Sequence, residues 1–446
     1  MKKKVLFFAR EYQADFFPLL LSEKYNAYYV TLTLEEKRRV EAKGQPVFAC
    51  FEEMYDTLSP DQIPESYFLT SFASDRFMGD LSLAERQTIL GKEIAFWRFA
   101  LEEGKADAVI NETVAIETSE VLLIEAQKRG IPYHSWMSLP VPNTFYFQRT
   151  PMYSELDQRI QEIQPGSEDL AKAEMYMEKV RQGAGAPFYA QNLKKRGNPV
   201  VLLKNVKRWF LAKRRSGKYA RNKSLAVFGA PQRVFGTQMK LYFLSLFRKY
   251  RKQEGFKQYE LIFYPMHFEP EATLRYMSEF YSNQVATIES ISKCLKTNQV
   301  LVIKEHPQQP GMFLTYPFRQ IQRNYSNILL LPAEIPTSEL IKDSAAIVTL
   351  TSTAGFEGLI LGKPVFVLGK VFYNQCPGVY KILSYEELRE KLRAPSYLKP
   401  SAEKVKHFIA QMIHYANVGN PYPHANLYAS DNIAAVTRAI ERQLGI

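Results

Sequence analysis

The chain has 446 residues, of which 46% are apolar and 23% are charged, a composition typical of globular proteins and unlike that of disordered or fibrous ones. Its 58 Lys and Arg residues outnumber 46 Asp and Glu residues and give a formal net charge of +12. Three cysteines far apart in sequence exclude a disulfide scaffold and favour a reducing cytoplasm, and no run of about 18 apolar residues predicts a membrane-spanning helix.

The first half alternates short apolar runs with helical patterns, which predicts a parallel sheet covered by helices on both faces. The predicted strands are residues 5–9, 27–32, 46–50, 107–111 and 131–135. A helix is expected over residues 117–129, because a glycine follows at position 130 and favours a helix C-terminus. At roughly 150 residues per domain the length fits two or three domains, and we take residues 1–190 as the first, a Rossmann-like domain.

A strongly basic segment, residues 191–224, separates the two halves. Between positions 193 and 223 it has twelve Lys or Arg residues and no Asp or Glu. Asn198 is suited to cap a helix and Pro199 to occupy its first position, and apolar residues then recur at helical spacing. Such a helix either docks on an anionic membrane surface or packs between domains with its charges in water. The docking interpretation assigns membrane contact to Lys204, Lys207, Arg208, Trp209, Phe210, Lys213, Arg214 and Arg215.

The second half repeats the alternation of strands and helices. Its predicted strands are residues 225–228, 260–264, 299–304, 327–331, 345–350 and 364–368. We interpret residues 225–425 as a second Rossmann-like domain and residues 426–446 as a terminal helix that crosses back to the first. The predicted fold is therefore α/β, with two doubly wound domains that face a cleft and the basic segment inserted between them. Ligands of such sheets bind at the carboxyl ends of the strands.

The clearest chemical motif is Lys304-Glu-His306-Pro307, which directly follows an apolar strand. Pro307 stops the strand and fixes the exit of the chain. A histidine at this position can donate to a phosphate or supply a proton to a leaving group. A purely structural role for a histidine at a strand end is the alternative.

A second motif combines small hydroxyl residues, a glycine and the start of a helix: Thr351-Ser352-Thr353-Ala-Gly355-Phe-Glu357. Helix N-termini bind phosphate through free N–H groups and the helix dipole. Gly355 allows a ligand to approach the backbone closely, and Glu357 could bind ribose hydroxyls. The motif alone is also compatible with a plain capped helix. Together with the histidine motif it predicts a nucleotide-phosphate site.

Several familiar motifs do not occur in the sequence. It has no G-x-x-x-x-G-K-[ST], no G-x-G-x-x-G, no H-E-x-x-H and no G-x-S-x-G. This argues against P-loop ATP hydrolysis, hydride transfer, metalloprotease and serine hydrolase chemistry. A D-x-D metal motif is missing as well, so no metal is expected. No recognised nucleic-acid motif accompanies the basic charge, so no nucleic-acid partner is expected.

These residues resemble a known family. Lys304-Glu-His-Pro307, Thr351-Ser-Thr-x-Gly355-Phe-Glu357 and Gly362-Lys-Pro364 look like the bacterial capsule polysaccharide biosynthesis family, which includes Kdo (3-deoxy-manno-octulosonic acid) transferases. The His-Pro and Ser/Thr pair also resembles that of bacterial sialyltransferases of the GT-B fold. Residues 264–271 are similar to a strand-end segment of the capsule family, and the whole resemblance covers roughly residues 225–370.

The resemblance implies a GT-B glycosyltransferase that needs neither a metal nor another cofactor. Its donor would be a nucleotide sugar, with a CMP-activated acidic sugar such as Kdo as the first choice. Its acceptor would be a lipid-linked glycan or polysaccharide, at the cytoplasmic face of the inner membrane. In such an enzyme His306, Ser352 and Thr353 would hold the donor phosphate. Further contacts near the donor sugar would come from His267, Glu269 and Glu271.

The resemblance also implies a catalytic base at a strand end of the first half. Glu112 fits, because it directly follows the apolar strand and could take the proton of an acceptor hydroxyl. Glu117 and Asp75 are the alternates, and a first-turn helical position for Glu112 is the structural alternative. A UDP-sugar 2-epimerase on the same fold and a non-catalytic polysaccharide or membrane assembly protein are the other functions that we consider.

Overall fold

The computed structural model describes residues 2–67, 69–70, 72, 81–114, 116–149, 154–183, 253–256, 258–269, 272–307, 309 and 311–446. The basic segment lies outside these residues, and so do the predicted strand 225–228, Asp75 and Glu271. Membrane docking therefore stays a prediction from the sequence for Lys204, Lys207, Arg208, Trp209, Phe210, Lys213, Arg214 and Arg215.

The strands of the described residues form two sheets. They are β1 (Lys3–Phe8), β2 (Tyr25–Thr31), β3 (Val47–Cys50), β4 (Ala108–Asn111), β5 (Tyr133–Ser138), β6 (Thr144–Gln148), β7 (Glu260–Pro265), β8 (Gln299–Lys304), β9 (Ile328–Leu331), β10 (Ala346–Thr349), β11 (Val365–Val367), β12 (Val379–Lys381) and β13 (Asn417–Val418). Each predicted strand that falls on described residues overlaps one of them.

The helices cover the sheets. Those of the described residues are α1 (Gln13–Phe16), α2 (Leu34–Glu41), α3 (Phe51–Met54), α4 (Leu83–Glu102), α5 (Glu117–Lys128), α6 (Ser154–Arg159), α7 (Ser167–Arg181), α8 (Ala272–Met277), α9 (Gln284–Ser292), α10 (Tyr316–Asn324), α11 (Thr337–Asp343), α12 (Thr353–Ile360), α13 (Tyr385–Leu392), α14 (Ala402–Tyr415) and α15 (Ser430–Leu444). In the part of the chain that the structure describes, none of them combines the length and the apolarity that crossing a bilayer requires.

The first sheet has the strand order β13-β6-β5-β4-β1-β2-β3. Strands β1 to β5 pair in parallel, whereas β6 returns antiparallel to β5 and β13 pairs antiparallel with β6. Strands β6 and β13 were not predicted from the hydrophobic pattern. A return strand that follows the Pro-containing loop 139–143 does not belong to a strand–helix alternation, and a two-residue strand has no periodicity of its own.

The second sheet has the strand order β12-β11-β10-β7-β8-β9, and all of its strands are parallel. Its central strands are continuous apolar runs because helices bury both of their faces. Ile262, Leu301 and Val348 have no solvent exposure and lie in the core of this sheet. Two largely parallel sheets confirm the predicted α/β class, while the cleft between domains stays a prediction.

The chain divides into two compact units, one around each sheet. The described residues of the first unit are those up to position 149 and 416–446, and those of the second are 154–183 and 253–415. This division differs from the predicted boundaries at 190 and 425. Helix α7 belongs to the second unit, because it packs along α14, where the imidazole of His414 and the carboxylate of Asp169 lie 2.9 Å apart.

The terminal helix α15 is part of the first unit. Val436 and Ile440 have no solvent exposure and pack in one core with Val5 and Phe7 of β1. The Lys3 ammonium donates to the carbonyl oxygen of Leu444 at 2.5 Å. Burial of this apolar stripe against β1 therefore joins the two ends of the described chain in one folding unit.

Ile440→Ala is expected to destabilise the first unit by about 2–5 kcal/mol, because it leaves a cavity between α15 and β1. Thermal and urea unfolding followed by circular dichroism would measure the loss. Arg438→Ala on the same helix is the matched control, since Arg438 is exposed and its truncation should change stability little. Equal effects of the two variants would contradict the packing of α15 described above.

Candidate functional site

The strand order of the second sheet places several candidate residues at one edge. From β7 the chain continues outward through β8 and β9, whereas β10 lies on the other side of β7. Ligands of open α/β sheets bind at the carboxyl ends of the strands where the order reverses, which here is the boundary between β7 and β10. The residues that leave β10, β7 and β8 at this edge include His267, Glu269, Lys304, His306, Pro307, Thr351, Ser352 and Thr353.

The turn after β10 is held by its own polar groups. Ser352 is the N-cap of α12, and its hydroxyl accepts from the N–H of Ala354 at 3.1 Å. The N–H of Ser352 donates in turn to the hydroxyl of Thr349 at 3.0 Å. The hydroxyl oxygen of Thr351 is buried and has no hydrogen-bond partner among the described residues. Buried hydroxyl groups normally have a hydrogen-bond partner that offsets the loss of water.

His267 joins the end of β7 to this turn. Its Nε2 atom accepts a hydrogen bond from the N–H of Thr351 at 3.0 Å. Burial lowers the pKa of His267 to about 3, and repulsion from His306 acts in the same direction. A neutral imidazole is required, because only an unprotonated Nε2 can accept. His267 was predicted to line the donor-sugar pocket, and in the structure it positions the backbone of the hydroxyl-rich turn.

Gln284, the first residue of α9, braces the segment after β7. Its side-chain amide accepts from the N–H of His267 at 2.8 Å and donates to the carbonyl oxygen of the same residue at 3.1 Å. The amide also donates to the Glu269 carboxylate at 2.5 Å. Burial raises the pKa of Glu269, and the hydrogen bonds from Gln284 oppose that rise. Gln284 was not predicted as a site residue, because nothing near it in the chain marks a residue that contacts the segment after β7.

The segment after β8 is fixed by Glu305. This carboxylate is 1% exposed and accepts from the N–H groups of Gly311 and Phe313, each at 3.0 Å. The neighbouring His306 is half-buried, and its ring centroid lies 5.9 Å from that of Phe268. Glu305 therefore has a structural role. The ring of His306 lies beside Phe268, in the segment after β7.

Lys304 and Glu357 influence each other electrostatically at the same edge. The ammonium of Lys304 donates to the hydroxyl of Thr337 at 2.8 Å, and burial lowers the pKa of this lysine. Burial also raises the pKa of Glu357 to about 7, and attraction from Lys304 opposes the rise. Glu357 is the fifth residue of α12, just beyond its first turn. Because its pKa is raised to about 7, its charge changes near neutral pH at the edge where a ligand would bind.

Gly355 was expected to allow a ligand close to the backbone, but the space beside it is filled by Tyr373 and Val365. A Cβ atom at position 355 would lie 2.3 Å from the hydroxyl of Tyr373 and 3.0 Å from Val365. The Tyr373 hydroxyl donates to the carbonyl oxygen of Ser352 at 2.5 Å. The glycine is therefore needed for close packing of a tyrosine that braces the turn, and not for the approach of a ligand to the backbone.

The backbone donors expected to cradle a phosphate are largely engaged within the protein. The N–H of Thr351 donates to His267, and that of Ser352 donates to Thr349. The N–H groups of Ala354 and Gly355 donate to the hydroxyl and to the carbonyl oxygen of Ser352, respectively. A plain helix N-terminus therefore supplies less to a ligand here than the sequence predicted.

The first unit has a corresponding edge. Its strand order reverses between β1 and β4, and Glu112 follows β4 directly at that boundary. Helix α5 begins only at Glu117, so Glu112 is not a first-turn helical residue. The carboxylate accepts from the side-chain amide of Gln13 and lies 3.8 Å from the guanidinium of Arg10. Burial raises the pKa of Glu112, and attraction from Arg10 opposes this rise.

Residues from the C-terminal segment complete this edge. The Tyr422 hydroxyl donates to the carbonyl oxygen of Trp136 at 2.9 Å and lies 3.2 Å from the hydroxyl of Thr113. The Tyr12 hydroxyl donates to the carbonyl oxygen of Pro421 at 3.0 Å. These contacts join positions near 12, 113 and 422, and sequence reasoning had no signal for them because they are hundreds of residues apart.

The alternate bases are less suited to the role. Glu117 is 1% exposed and forms an ion pair with Arg86 at 3.3 Å, which is the arrangement of a structural buried pair. Asp75 lies outside the described residues. Among the residues that the structure describes, no group of three or more His, Cys, Asp or Glu side chains has the geometry of a metal site.

The motifs of the second unit match a protein family. A family model described as capsule polysaccharide biosynthesis protein matches residues 243–417. The matched segment contains the ends of β7, β8 and β10, and with them all of the candidate residues of the second sheet. The match confirms the resemblance to the capsule polysaccharide biosynthesis family that the motifs indicated.

Individual relatives add detail. The Escherichia coli capsule polysaccharide export protein KpsS is 34% identical over 97 residues, which are 21% of this chain and 24% of that protein, so the alignment spans about a quarter of the relative's length. The structure of Thermosulfurimonas dismutans KpsC, a beta Kdo 2,7 transferase, is 12% identical, with 94% of this chain and 99% of that chain covered and a TM-score of 0.43. A UDP-GlcNAc 2-epimerase from Neisseria meningitidis is 13% identical, with 99% and 100% covered and a TM-score of 0.28. We therefore assign the fold from the two sheets of this chain and not from its similarity to these structures.

Gly355→Ala is expected to cost about 1–3 kcal/mol, because the new methyl group meets the Tyr373 hydroxyl. Tyr373→Phe removes that hydroxyl and should cost about 1 kcal/mol through its lost hydrogen bond. The double variant should therefore lose at least about 0.5 kcal/mol less than the sum of the two single losses. Urea unfolding of the four proteins would measure this coupling.

Gly358→Ala is the matched control in the same helix. A Cβ atom at position 358 meets the Ile347 side chain and not Tyr373. Its combination with Tyr373→Phe should be additive. Additivity of the Gly355 pair as well would contradict the packing role that we assign to Gly355.

Proposed function

We propose that this chain, which matches the capsule polysaccharide biosynthesis family over residues 243–417, is a glycosyltransferase of capsule or surface polysaccharide synthesis. The observation that carries the proposal is the convergence of His306, Lys304 and the Thr351-to-Thr353 turn at the reversal of strand order in the second sheet. A sheet edge of this kind is where α/β proteins bind nucleotides. The donor is accordingly a nucleotide sugar.

In the proposed reaction an acceptor hydroxyl oxygen forms a bond to the anomeric carbon of the donor sugar. The bond between that carbon and the phosphate oxygen of the nucleotide breaks, and the leaving phosphate keeps the electron pair. His306 donates to the phosphate and stabilises the charge that develops on it. The buried Thr351 hydroxyl, which has no partner among the described residues, gains one when a phosphate oxygen binds beside it.

The remaining groups of the edge orient the nucleotide. Lys304 adds a positive charge close to the phosphates, and Glu357 as a carboxylate accepts from ribose hydroxyls. Because burial raises the pKa of Glu357 to about 7, its acceptor capacity increases as the pH rises through that value. Ser352 and His267 act through the backbone of the turn that they hold. Catalysis then rests mainly on positioning and on preorganised donors.

Glu112 of the first unit is the proposed base. Its burial and its position at the carboxyl end of β4 suit a carboxylate that takes the acceptor proton as the glycosidic bond forms. Of the two alternates, Glu117 is almost fully buried in an ion pair with Arg86, and Asp75 lies outside the described residues. The proposal thus assigns the donor to the second unit and the acceptor base to the first.

The finer features are proposals from the sequence. A CMP-activated acidic sugar such as Kdo is our first choice of donor, and a lipid-linked or polysaccharide chain is our choice of acceptor. No metal or other cofactor is included in the proposed reaction. The basic segment 191–224 would hold the protein at the cytoplasmic face of the inner membrane by attraction to anionic lipid.

A nucleotide at about a hundred times its Kd is expected to stabilise the protein by about 2.7 kcal/mol, which a thermal-shift assay can measure. We expect the shift with CMP, and its loss in His306→Ala. His407→Ala is the control, since His407 is an exposed histidine on α14. Parallel assays with UDP, GDP and CDP establish which nucleotide the protein prefers.

Each outcome of the nucleotide assay has a distinct meaning. A shift with UDP in place of CMP would keep a nucleotide-sugar enzyme, discard Kdo as the donor and favour a 2-epimerase, which needs no acceptor. A shift that persists in His306→Ala would contradict the phosphate role of His306. No shift with any nucleotide would overturn the donor site and leave a non-catalytic assembly protein as the better account.

Glu112→Gln is expected to lower kcat for transfer by about 10²–10⁴-fold, because the amide cannot take the acceptor proton. Nucleotide binding in the thermal-shift assay should stay unchanged, since Glu112 lies on the first sheet. Release of the free nucleotide in the presence of acceptor measures the rate. Glu41→Gln, the same change at an exposed glutamate of the first unit, is the control. Full activity of Glu112→Gln would exclude this residue as the base.

A further inference from the structure

We propose that Arg10 is a positioning residue of the reaction, which holds the Glu112 side chain in place as a carboxylate without touching the reacting atoms. The inference rests on the proposed function, because it takes Glu112 as the base. Arg10 belongs to no motif that we identified in the sequence. It follows β1 by two residues, directly across the reversal of strand order from Glu112.

The contacts of Arg10 are directed at acids of this edge. Its side chain is only 7% exposed, its Nη1 atom donates to Glu11 at 2.9 Å, and its Nη2 atom lies 3.8 Å from the Glu112 carboxylate. The side-chain amide of Gln13 donates to the same carboxylate oxygen of Glu112. Glu112 is thus held by a cation from the turn after β1 and by an amide from the first residue of α1.

The turn after β1 is itself fixed by buried groups. Glu11 has a left-handed backbone conformation, with a φ angle of 49°, which is unfavourable for a residue other than glycine. The Glu36 carboxylate is 4% exposed and accepts from the N–H of Glu11 at 2.8 Å and from that of Thr33 at 2.9 Å. This bond offsets the strain at Glu11 and sets the direction in which Arg10 leaves the strand.

Charge around Glu112 explains why a cation is needed there. Burial raises the pKa of Glu112, Glu11 raises it further by repulsion, and Arg10 lowers it by attraction. The titratable or charged groups that face the pair from the packed elements are Glu11 and Tyr12 after β1, Glu36 of α2, Tyr133 of β5 and Tyr422 of the C-terminal segment. Without Arg10, this surrounding of acids and phenols would favour a protonated Glu112, which cannot accept a proton.

Arg10→Gln is therefore expected to move the acidic limb of the kcat/KM profile to higher pH by at least about one unit, since a nearby cation lowers a carboxyl pKa by 1–3 units. Arg10→Lys keeps the charge and should shift the limb less. Arg98→Gln is the matched control, because Arg98 pairs with Asp61 in the same unit and should leave the profile unchanged. An unshifted profile in Arg10→Gln would overturn the proposal.

Thermal unfolding provides a readout that does not require activity. In the Arg10→Gln background, Glu112→Gln should raise the melting temperature at pH 8, because it removes a buried carboxylate that has lost its cation. The gain should vanish as the pH falls below the raised pKa of Glu112, since the folded state then binds the proton. In the wild-type background the same substitution should give a smaller gain.

The two readouts separate the inference from the proposed function. Coupling in the unfolding cycle together with a shifted pH profile supports the positioning role. Additive effects in the unfolding cycle would show that Arg10 does not hold Glu112, and would overturn the inference even if transfer is observed. Coupling without any transfer activity, or with an unshifted profile, would show that the pair is structural and would overturn both the positioning role and Glu112 as the base.

Discussion

The reversal of strand order in each parallel sheet is the constraint on which the candidate sites depend. Parallel strands are joined by crossover connections. Where two successive connections run to opposite sides of the sheet, a crevice forms outside the carboxyl ends of the two adjacent strands, and ligands bind there. The first sheet reverses between β1 and β4, and the second between β7 and β10. Glu112 lies at the first of these edges, and His306 and the Thr351 turn lie at the second. Fold geometry thus selects which polar residues can meet a ligand.

Buried polar groups hold the loops at both edges. His267 accepts from the N–H of Thr351, Glu305 from two N–H groups of its own loop, and Glu36 from the N–H of Glu11. A buried donor or acceptor without a partner costs about 1–3 kcal/mol, so each of these bonds fixes a backbone segment in one conformation. Rigid loops of this kind let the remaining side chains face a ligand without reordering on binding.

Much of the second sheet could be predicted from the sequence, because buried parallel strands are continuous apolar runs that end at polar residues. Residues 299–304 were predicted as a strand and form β8, and the helix after the Thr351 turn begins at Thr353. The return strand β6 and the partners of Gln284 and Tyr373 could not be predicted. Gln284 contacts His267, 17 positions away, and Tyr373 contacts Ser352, 21 positions away. Local periodicity holds no information about contacts at such separations.

Hydrophobic periodicity and short local patterns are enough to predict the α/β class, the capsule-family motifs and the residue types suited to binding a nucleotide. The hydrogen-bond partners and the packing of these residues become known only from the folded chain. It showed that Gly355 makes room for Tyr373, that the backbone N–H groups of the turn are already engaged, and that Arg10 stands beside Glu112. These facts depend on contacts between segments brought together by the sheets, and burial sets their charge and hydrogen-bonding state.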